Sequence, residues 1–395
     1  MKVLVLNSGS SSIKFQLLEM PSEKVSCSGI VERIGSNDPV LTYRTETKES
    51  TITLKIPNHQ VGLETIAKYL LDPIKGVVQH SNEIDVVGHR VVHGGDAYAE
   101  TTLVNDQVKN EIKEFSSLAP LHNPHNLKGI EMAGKIFSEA KQIAVFDTAF
   151  HQTMPIKARK FAIPNKFYDE QGIKVYGFHG TSHKYVSERA SEYLKKDNSK
   201  IISIHLGNGC SITAVRNGKS IDHSLGFGPN NGLIMGSRSG DIDHSLIFYL
   251  VNYLGYTLSQ VNNLLIKESG MLGLTGYSDL RDIQTEAENG NADCKLALDM
   301  NAYRIKKYIG AYTAAMNGLD ALVFTAGIGE NSALLRSMVC SDMQYLGIDF
   351  DASENALKLS GLREIQSSTS AVKILIIPTN EELEIAKQAF QLLNT

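Results

Sequence analysis

Long apolar runs, paired cysteines and an excess of either charge are all missing from this 395-residue chain. Its most apolar internal stretch, Leu246-Ile247-Phe248-Tyr249-Leu250-Val251, breaks at Asn252 and is too short to span a bilayer. The N-terminal segment has one lysine and a short apolar run, far less than a signal peptide requires. The cysteines, Cys27, Cys210, Cys294 and Cys340, form no C-x-x-C pair, and their scatter speaks against a zinc site or a disulfide framework. A net charge of −4 offers no basic face to nucleic acid. There is no low-complexity linker and no G-x-x-x-x-G-K-[ST] loop. The expectation is a cytoplasmic protein with neither a membrane nor a nucleic-acid partner.

Hydrophobic residues make up 42% of the chain, enough for a core in each of two domains, and its length favours two over one. Apolar spacing predicts strands at 3–6, 13–19, 84–88 and 142–146, and helices at 61–72, 105–116 and 126–138. The pattern restarts with strands at 201–205 and 211–215 and a hairpin turn at Asn217-Gly218. Helices at 242–253, 258–266 and 295–317 follow, with strands at 321–325 and 373–377. The strand Val3-Leu4-Val5-Leu6 runs into a loop of small polar residues, and the chain leaves as a second strand at Ile13-Lys14-Phe15. The segment 201–213 repeats this construction around Gly207-Asn208-Gly209, with Ser12-Ile13 and Ser211-Ile212 in equivalent places. A related glycine loop, Gly327-Ile328-Gly329-Glu330-Asn331, follows Leu322-Val323-Phe324. Such loops offer backbone N–H groups and hydroxyls to an anion. Three of them predict a nucleotide held at several points in a duplicated, two-lobed α/β chain with a hinge near residue 150. At the tail, Glu381-Glu382-Leu383 opens an amphipathic helix, capped by Thr379 or Asn380, with glutamates in its first turn as the helix dipole favours.

Nine motifs together resemble the acetate kinase family. They are N-S-G-S-S-S-I-K-F at 7–15, G-H-R-V-V-H-G-G at 88–95, L-H-N-P at 121–124, F-D-T-A-F-H at 146–151 and G-F-H-G-T-S-H at 177–183. H-L-G-N-G at 205–209, G-S-R-S-G-D-I-D at 236–243, G-I-G-E-N at 327–331 and P-T-N-E-E-L at 378–383 complete the set, in family order. The resemblance implies an actin-like, ribonuclease H-like fold with its active site in the interdomain cleft. It also implies magnesium-dependent (or manganese-dependent) direct in-line phosphoryl transfer between ATP and acetate, giving ADP and acetyl phosphate, and a homodimer. It assigns residues 1–150 plus 380–395 to the N-terminal lobe, and 151–379, with the dimer interface, to the other.

Phosphoryl transfer needs positioning and charge neutralisation more than covalent help. A carboxylic acid with a pKa of about 4.3 is already ionised at neutral pH, so no base is required to create the nucleophile. The site needs cations and neutral donors. Arg90 offers a guanidinium fork for a carboxylate or acyl phosphate, and the resemblance assigns it to the acetyl substrate. An ordinary structural ion pair is its plainer reading. The resemblance makes Arg238 the neutraliser of charge on the migrating phosphoryl group and His179 its hydrogen-bond donor. His122 is a further active-site histidine with an equal claim to a supporting role. Asp147 is by resemblance a proton donor or acceptor; because no base is needed, orienting an arginine or magnesium-bound water suits it better. Asn7 and Glu381 match the magnesium side, with Glu382 a competitor. Lys14 and His205, Leu206, Gly207, Asn208 and Gly209 match phosphate contacts, and Gly327, Ile328, Gly329, Glu330 and Asn331 the adenosine loop. Asp279, Leu280 and Arg281 match a nucleotide segment, although an ordinary helix start explains them as well. Val92, Leu121, Phe178 and Pro229 match the pocket for the methyl group.

The segment Asp222–Gly232 departs from the family, whose members usually read D-T-S-M-G-F-T-P-L-E-G there. His223 and Gly228 each replace a threonine, Asn230-Asn231 replace Leu-Glu, and His244 replaces a proline. These changes leave propionate open as a substrate, since one methylene in an apolar pocket is worth only about 1–3 kcal/mol. A pyrophosphate-dependent enzyme and an actin-like ATP switch are the rival readings. The intact 327–331 loop speaks against the first, and Arg90 with Arg238 against the second.

Overall fold

The computed structural model describes residues 1–394, which form two units. The first comprises Met1–Phe150 and the chain from Asn380 onward; the second is His151–Thr379. The first unit is built on strands β1 (Lys2–Ser8), β2 (Ile13–Glu19), β3 (Lys24–Glu32), β4 (Val40–Thr45), β5 (Glu49–Thr53), β6 (Val86–Val91), β7 (Thr102–Leu103) and β8 (Lys141–Phe146). They form one sheet in the order β5-β4-β3-β2-β1-β6-β8-β7. β1, β6 and β8 run parallel and the remaining pairs antiparallel. Val3 to Leu6 are buried throughout, as a central strand covered on both faces requires. Leu4 and Leu6 pack with Ile66, Leu70 and Met132 of the helices His59–Leu70 and Asn123–Ile136. The C-terminal helix Glu381–Asn394 lies against β6 so closely that a Cβ on Gly88 would stand 2.8 Å from Ile385 Cγ2. That approach brings the first turn of the last helix to the strand carrying Arg90.

The second unit has β9 (Lys200–Leu206), β10 (Cys210–Arg216), β11 (Lys219–His223), β12 (Ala321–Thr325), β13 (Arg363–Glu364) and β14 (Lys373–Ile376), in the order β11-β10-β9-β12-β14-β13. β9, β12 and β14 are parallel, while β9, β10 and β11 form an antiparallel meander. The order β3-β2-β1-β6-β8 of the first unit therefore recurs as β11-β10-β9-β12-β14. This repeat is the two-lobed, duplicated α/β class expected from the sequence.

Several expectations need correction. The strand predicted at 84–88 is Val86–Val91, so Arg90 lies within it and not beyond it. The polar residues His89 and Arg90 hide the strand from a hydrophobicity reading. Yet His89 is buried, with Nε2 2.8 Å from Gln142 Oε1. β3, β4 and β5 were not anticipated, because their half-exposed polar faces dilute the alternation. The two hairpin turns differ in length: pairing resumes at Ile13 in one and at Cys210 in the other, two residues before Ile212. The segment 327–331 is not an open loop; β12 passes directly into the short helix Ala326–Asn331. Of the two candidate caps for the last helix, Asn380 takes the role, its Oδ1 accepting from Leu383 N at 3.0 Å.

Candidate active site

In the first unit, three predicted residues converge on the guanidinium of a fourth, Arg90. Arg90 Nη2 donates to Asp147 Oδ2 at 2.5 Å, and its Nε reaches both Asp147 oxygens at 3.1–3.2 Å. Glu381 Oε2 lies 3.6 Å from the same Nε, and Nη1 is 3.4 Å from Asn7 Oδ1. Asp147 sits just past β8, anchored by its own N–H to the Val91 carbonyl at 2.9 Å. Burial works against the charge on Arg90, but the Asp147 and Glu381 carboxylates outweigh it and hold its pKa above the ordinary value. Burial raises the pKa of Glu381 from its ordinary value, with Asp147 and Glu382 adding to the rise and Arg90 and Lys14 opposing it. Glu382 is buried and pairs with Lys14 Nζ at 2.8 Å. The two neighbouring glutamates are thus divided: Glu382 answers Lys14, and Glu381 faces Arg90.

Val92 is buried and its N–H donates to Asn126 Oδ1 at 3.1 Å, while His93 N–H donates to Asn123 Oδ1 at 3.0 Å. Asn126 Nδ2 also reaches the Ser8 carbonyl at 2.8 Å, tying the first polar loop to the strand end after Arg90. These two asparagines hold the backbone of the site, yet the sequence singled out neither. The only available signal was Asn123 within L-H-N-P. Leu121, expected in an apolar pocket, is 54% exposed, and His122 is half-buried at the start of its helix.

In the second unit, His179 precedes the helix Gly180–Leu194 and takes a left-handed conformation, φ +55°. Its Nδ1 is 2.9 Å from Ser211 Oγ, which also lies 2.7 Å from His183 Nε2; His183 Nδ1 is in turn 2.9 Å from Ser203 Oγ. The His179 and His205 rings stack with centroids 4.4 Å apart. A Cβ placed on Gly209 would stand 3.5 Å from His179 Nε2 and 4.0 Å from Arg238 Nη1. The absence of a side chain at residue 209 therefore leaves one space flanked by both groups. Arg238 Nη1 donates to the Pro229 carbonyl at 2.9 Å, and burial lowers its pKa from the ordinary value. Phe178 is buried and Pro229 half-buried.

Beside this space is a cavity of about 850 Å³ lined by Gly207, Asn208, Asp279, Leu280, Arg281, Gly327, Ile328 and Asn331. Three segments far apart in sequence meet there. Ser278, Gln284 and Ser332 also line it without having been anticipated, and Gln284 Nε2 donates to Ser332 Oγ at 2.5 Å. Asp279 caps the helix Leu280–Glu288, and the Arg281 side chain and backbone N–H hold its carboxyl down at about 2. Leu206 turns into the core, and Glu330 accepts from Thr379 N–H at 3.2 Å. Among the described residues no group of three His, Cys, Asp or Glu side chains is arranged to hold a metal ion.

The buried histidines set a pH dependence. Burial drives His89 down to about 4 and holds His183 and His223 well below 6.5, with neighbouring histidines adding to the effect at the latter two. The unfolded chain binds these protons near pH 6.5, before the folded chain does. Stability is therefore complete above about pH 6.5 and falls on acidification, by up to about 1.4 kcal/mol per pH unit for each histidine. Urea midpoints should hold level from pH 7.5 to about 6.5 and decline from there to pH 5; a profile flat throughout would mean that these rings take up protons in the folded chain as readily as in the unfolded one.

The model of the acetokinase family matches residues 2–387. An acetate kinase of Flavobacterium johnsoniae is 59% identical over 393 residues, covering 100% of both chains. The solved acetate kinase of Porphyromonas gingivalis superposes with a TM-score of 0.93 at 43% identity, covering 99% of each chain. A propionate kinase from Francisella tularensis has a TM-score of 0.92 at 41% identity, covering 98% of each.

Proposed function

This chain belongs to the acetokinase family, and from that premise we propose that it transfers a phosphoryl group reversibly between ATP and acetate. The observation that carries this reading is the pairing of His179 Nε2 and Arg238 Nη1 around the open side of Gly209, next to the 850 Å³ cavity. A donor and a cation there suit the oxygens of a phosphoryl group in transfer. The cavity and its three segments support a nucleotide as phosphoryl donor, and hence ATP over pyrophosphate.

Arg90 receives the carboxylate of the acid, which enters already ionised and attacks the γ-phosphorus directly. Asp147, forked to Arg90, orients the guanidinium and abstracts no proton. Val92, Leu121, Phe178 and Pro229 are assigned to the acid's alkyl end, and His122 to a supporting hydrogen bond. Lys14, His205 and the backbone of 207–209 are assigned to phosphates, and 279–281 and 327–331 to the nucleoside.

The donor set of the first unit fits magnesium. Lys14 answers Glu382, and Asp147 and Glu381 share the single cation Arg90, so a divalent cation would complete the charge of an ionised Glu381, with oxygen donors on Glu381 and Asn7. Magnesium commonly takes one or two carboxylates and keeps its waters. Held by Asn7 and Glu381, it would supply positive charge to the phosphates.

The homodimer is supported by an apolar face on and after the helix Ser245–Asn252, where Phe248, Tyr253 and Leu254 are 62%, 77% and 54% exposed. A patch of this kind marks an interaction surface. Phe248→Glu combined with Tyr253→Glu should weaken dimerisation by about 30-fold or more, read as a shift to monomer in sedimentation equilibrium; an unchanged mass would refute the assignment. The buried, unpaired cysteines suit a cytoplasmic setting. No helix of the described residues is long and apolar enough to cross a membrane.

The test is acyl phosphate formation, trapped with hydroxylamine, from MgATP and acetate, with propionate, butyrate and an acid-free blank alongside. Acetate-dependent product is expected, with propionate second because of the altered 222–232 segment. ATP loss without acyl phosphate would favour the switch, and reaction only with pyrophosphate would overturn the nucleotide assignment.

A further inference from the structure

Buried histidines hold both backbone polar atoms of Phe178, its N–H and its carbonyl. His223, the last residue of β11, accepts the Phe178 N–H on Nε2 at 3.1 Å. His151 Nε2 lies 3.0 Å from the Phe178 carbonyl. The two rings are 4.1 Å apart. A backbone N–H only donates, so His223 carries its proton on Nδ1 and gives it to Thr213 Oγ1 at 2.7 Å. A carbonyl only accepts, so His151 carries its proton on Nε2, and its Nδ1 accepts from Ser220 Oγ at 2.9 Å. Opposite tautomers on two adjacent rings thus hold the two peptide groups that flank Phe178 Cα.

Phe178 stands between two residues of positive φ. Gly177 has φ +78° and His179 φ +55°. A left-handed histidine persists where its surroundings hold it there. The conformation at residue 179 decides where the imidazole beside Gly209 points.

We infer that His223 is a positioning residue for the transfer reaction, acting through the Phe178 N–H to fix the backbone that places His179 beside Gly209 and Arg238. The inference rests on the phosphoryl-binding reading of His179. It also gives a role to a residue that departs from the family's usual threonine. A threonine at 223 has a single polar atom at the γ position, whereas histidine spans from the Thr213 hydroxyl to the Phe178 N–H.

The test uses the full-length protein with three substitutions. His223→Phe keeps a ring but loses the acceptor; kcat should fall by about 10²-fold, as a misplaced catalytic group would cause, with KM for ATP nearly unchanged. His223→Gln presents an amide oxygen to Phe178 N–H and should recover kcat to within about 5-fold of the parent. The imidazole nitrogen shifts of His223 should report the Nδ1–H tautomer. Thermal melts separate these effects from unfolding. His179→Ala separates the two claims. If it is slow while His223→Phe turns over at the parental rate, this inference alone is overturned; if His179→Ala is itself fast, the reading beneath it fails. Equal kcat for His223→Phe and His223→Gln would also overturn the inference, since only a space-filling role predicts it.

Discussion

Arg238→Ala should lower kcat by about 10³–10⁵-fold, the range expected when an arginine that neutralises charge on a transferring phosphoryl group is removed. Arg238 Nη1 meets neutral groups, the Pro229 carbonyl at 2.9 Å and the Met235 sulfur at 3.9 Å. A half-buried cation held by neutral contacts keeps its charge available for an anion. Its removal strands no carboxylate at those contacts, so the melting temperature should change little. Arg238→Lys restores a point charge without the planar fork and should recover only part of the rate. A loss smaller than tenfold in Arg238→Ala would remove this residue from the phosphoryl site.

Arg90→Ala should behave differently, because Arg90 is built into an ionic cluster. Asp147 is 1% exposed and depends on Arg90 for charge compensation, with Glu381 close by. Removing one partner of a buried pair leaves an uncompensated charge and typically costs about 3–5 kcal/mol. Arg90→Ala should therefore unfold at clearly lower urea concentration, and adding Asp147→Asn should recover much of that loss as a favourable coupling. Activity should follow another rule. The single variant should lose about 10²-fold or more in kcat/KM for the acid, and the double variant should not regain it. Asp147→Asn alone should also slow turnover, by weakening the grip on Arg90. Near-normal turnover in Asp147→Asn would refute both the orienting role and any role as a base.

Local features were legible in the sequence wherever a short segment determines its own structure. The two strand–loop–strand units at 3–15 and 201–213 and the tail helix belong to this class, because apolar runs and small polar turns act over a few residues. Features set by distant partners were hidden. Nothing near Glu381 and Glu382 says which one faces Arg90; Lys14 and β6 decide it from far along the chain. The histidines of the second unit are oriented by Ser203, Ser211, Thr213 and Ser220, hydroxyl residues that carry no signal in isolation. Asn123 and Asn126 act on the backbone of Val92 and His93 from a separate helix. The extent of β6 was masked because polar residues buried in a central strand look like surface until their partners are known.

The central claim is that an ionised acid takes the phosphoryl group directly, with protein cations and donors stabilising the transfer and no protein side chain accepting the group on the way. The stereochemical course at phosphorus tests it most directly, using ATP made chiral at the γ-phosphorus with oxygen isotopes and acetate as acceptor. A single in-line transfer predicts inversion of configuration in the acetyl phosphate formed. Retention would mean two successive displacements through a phosphorylated side chain, and would contradict the account.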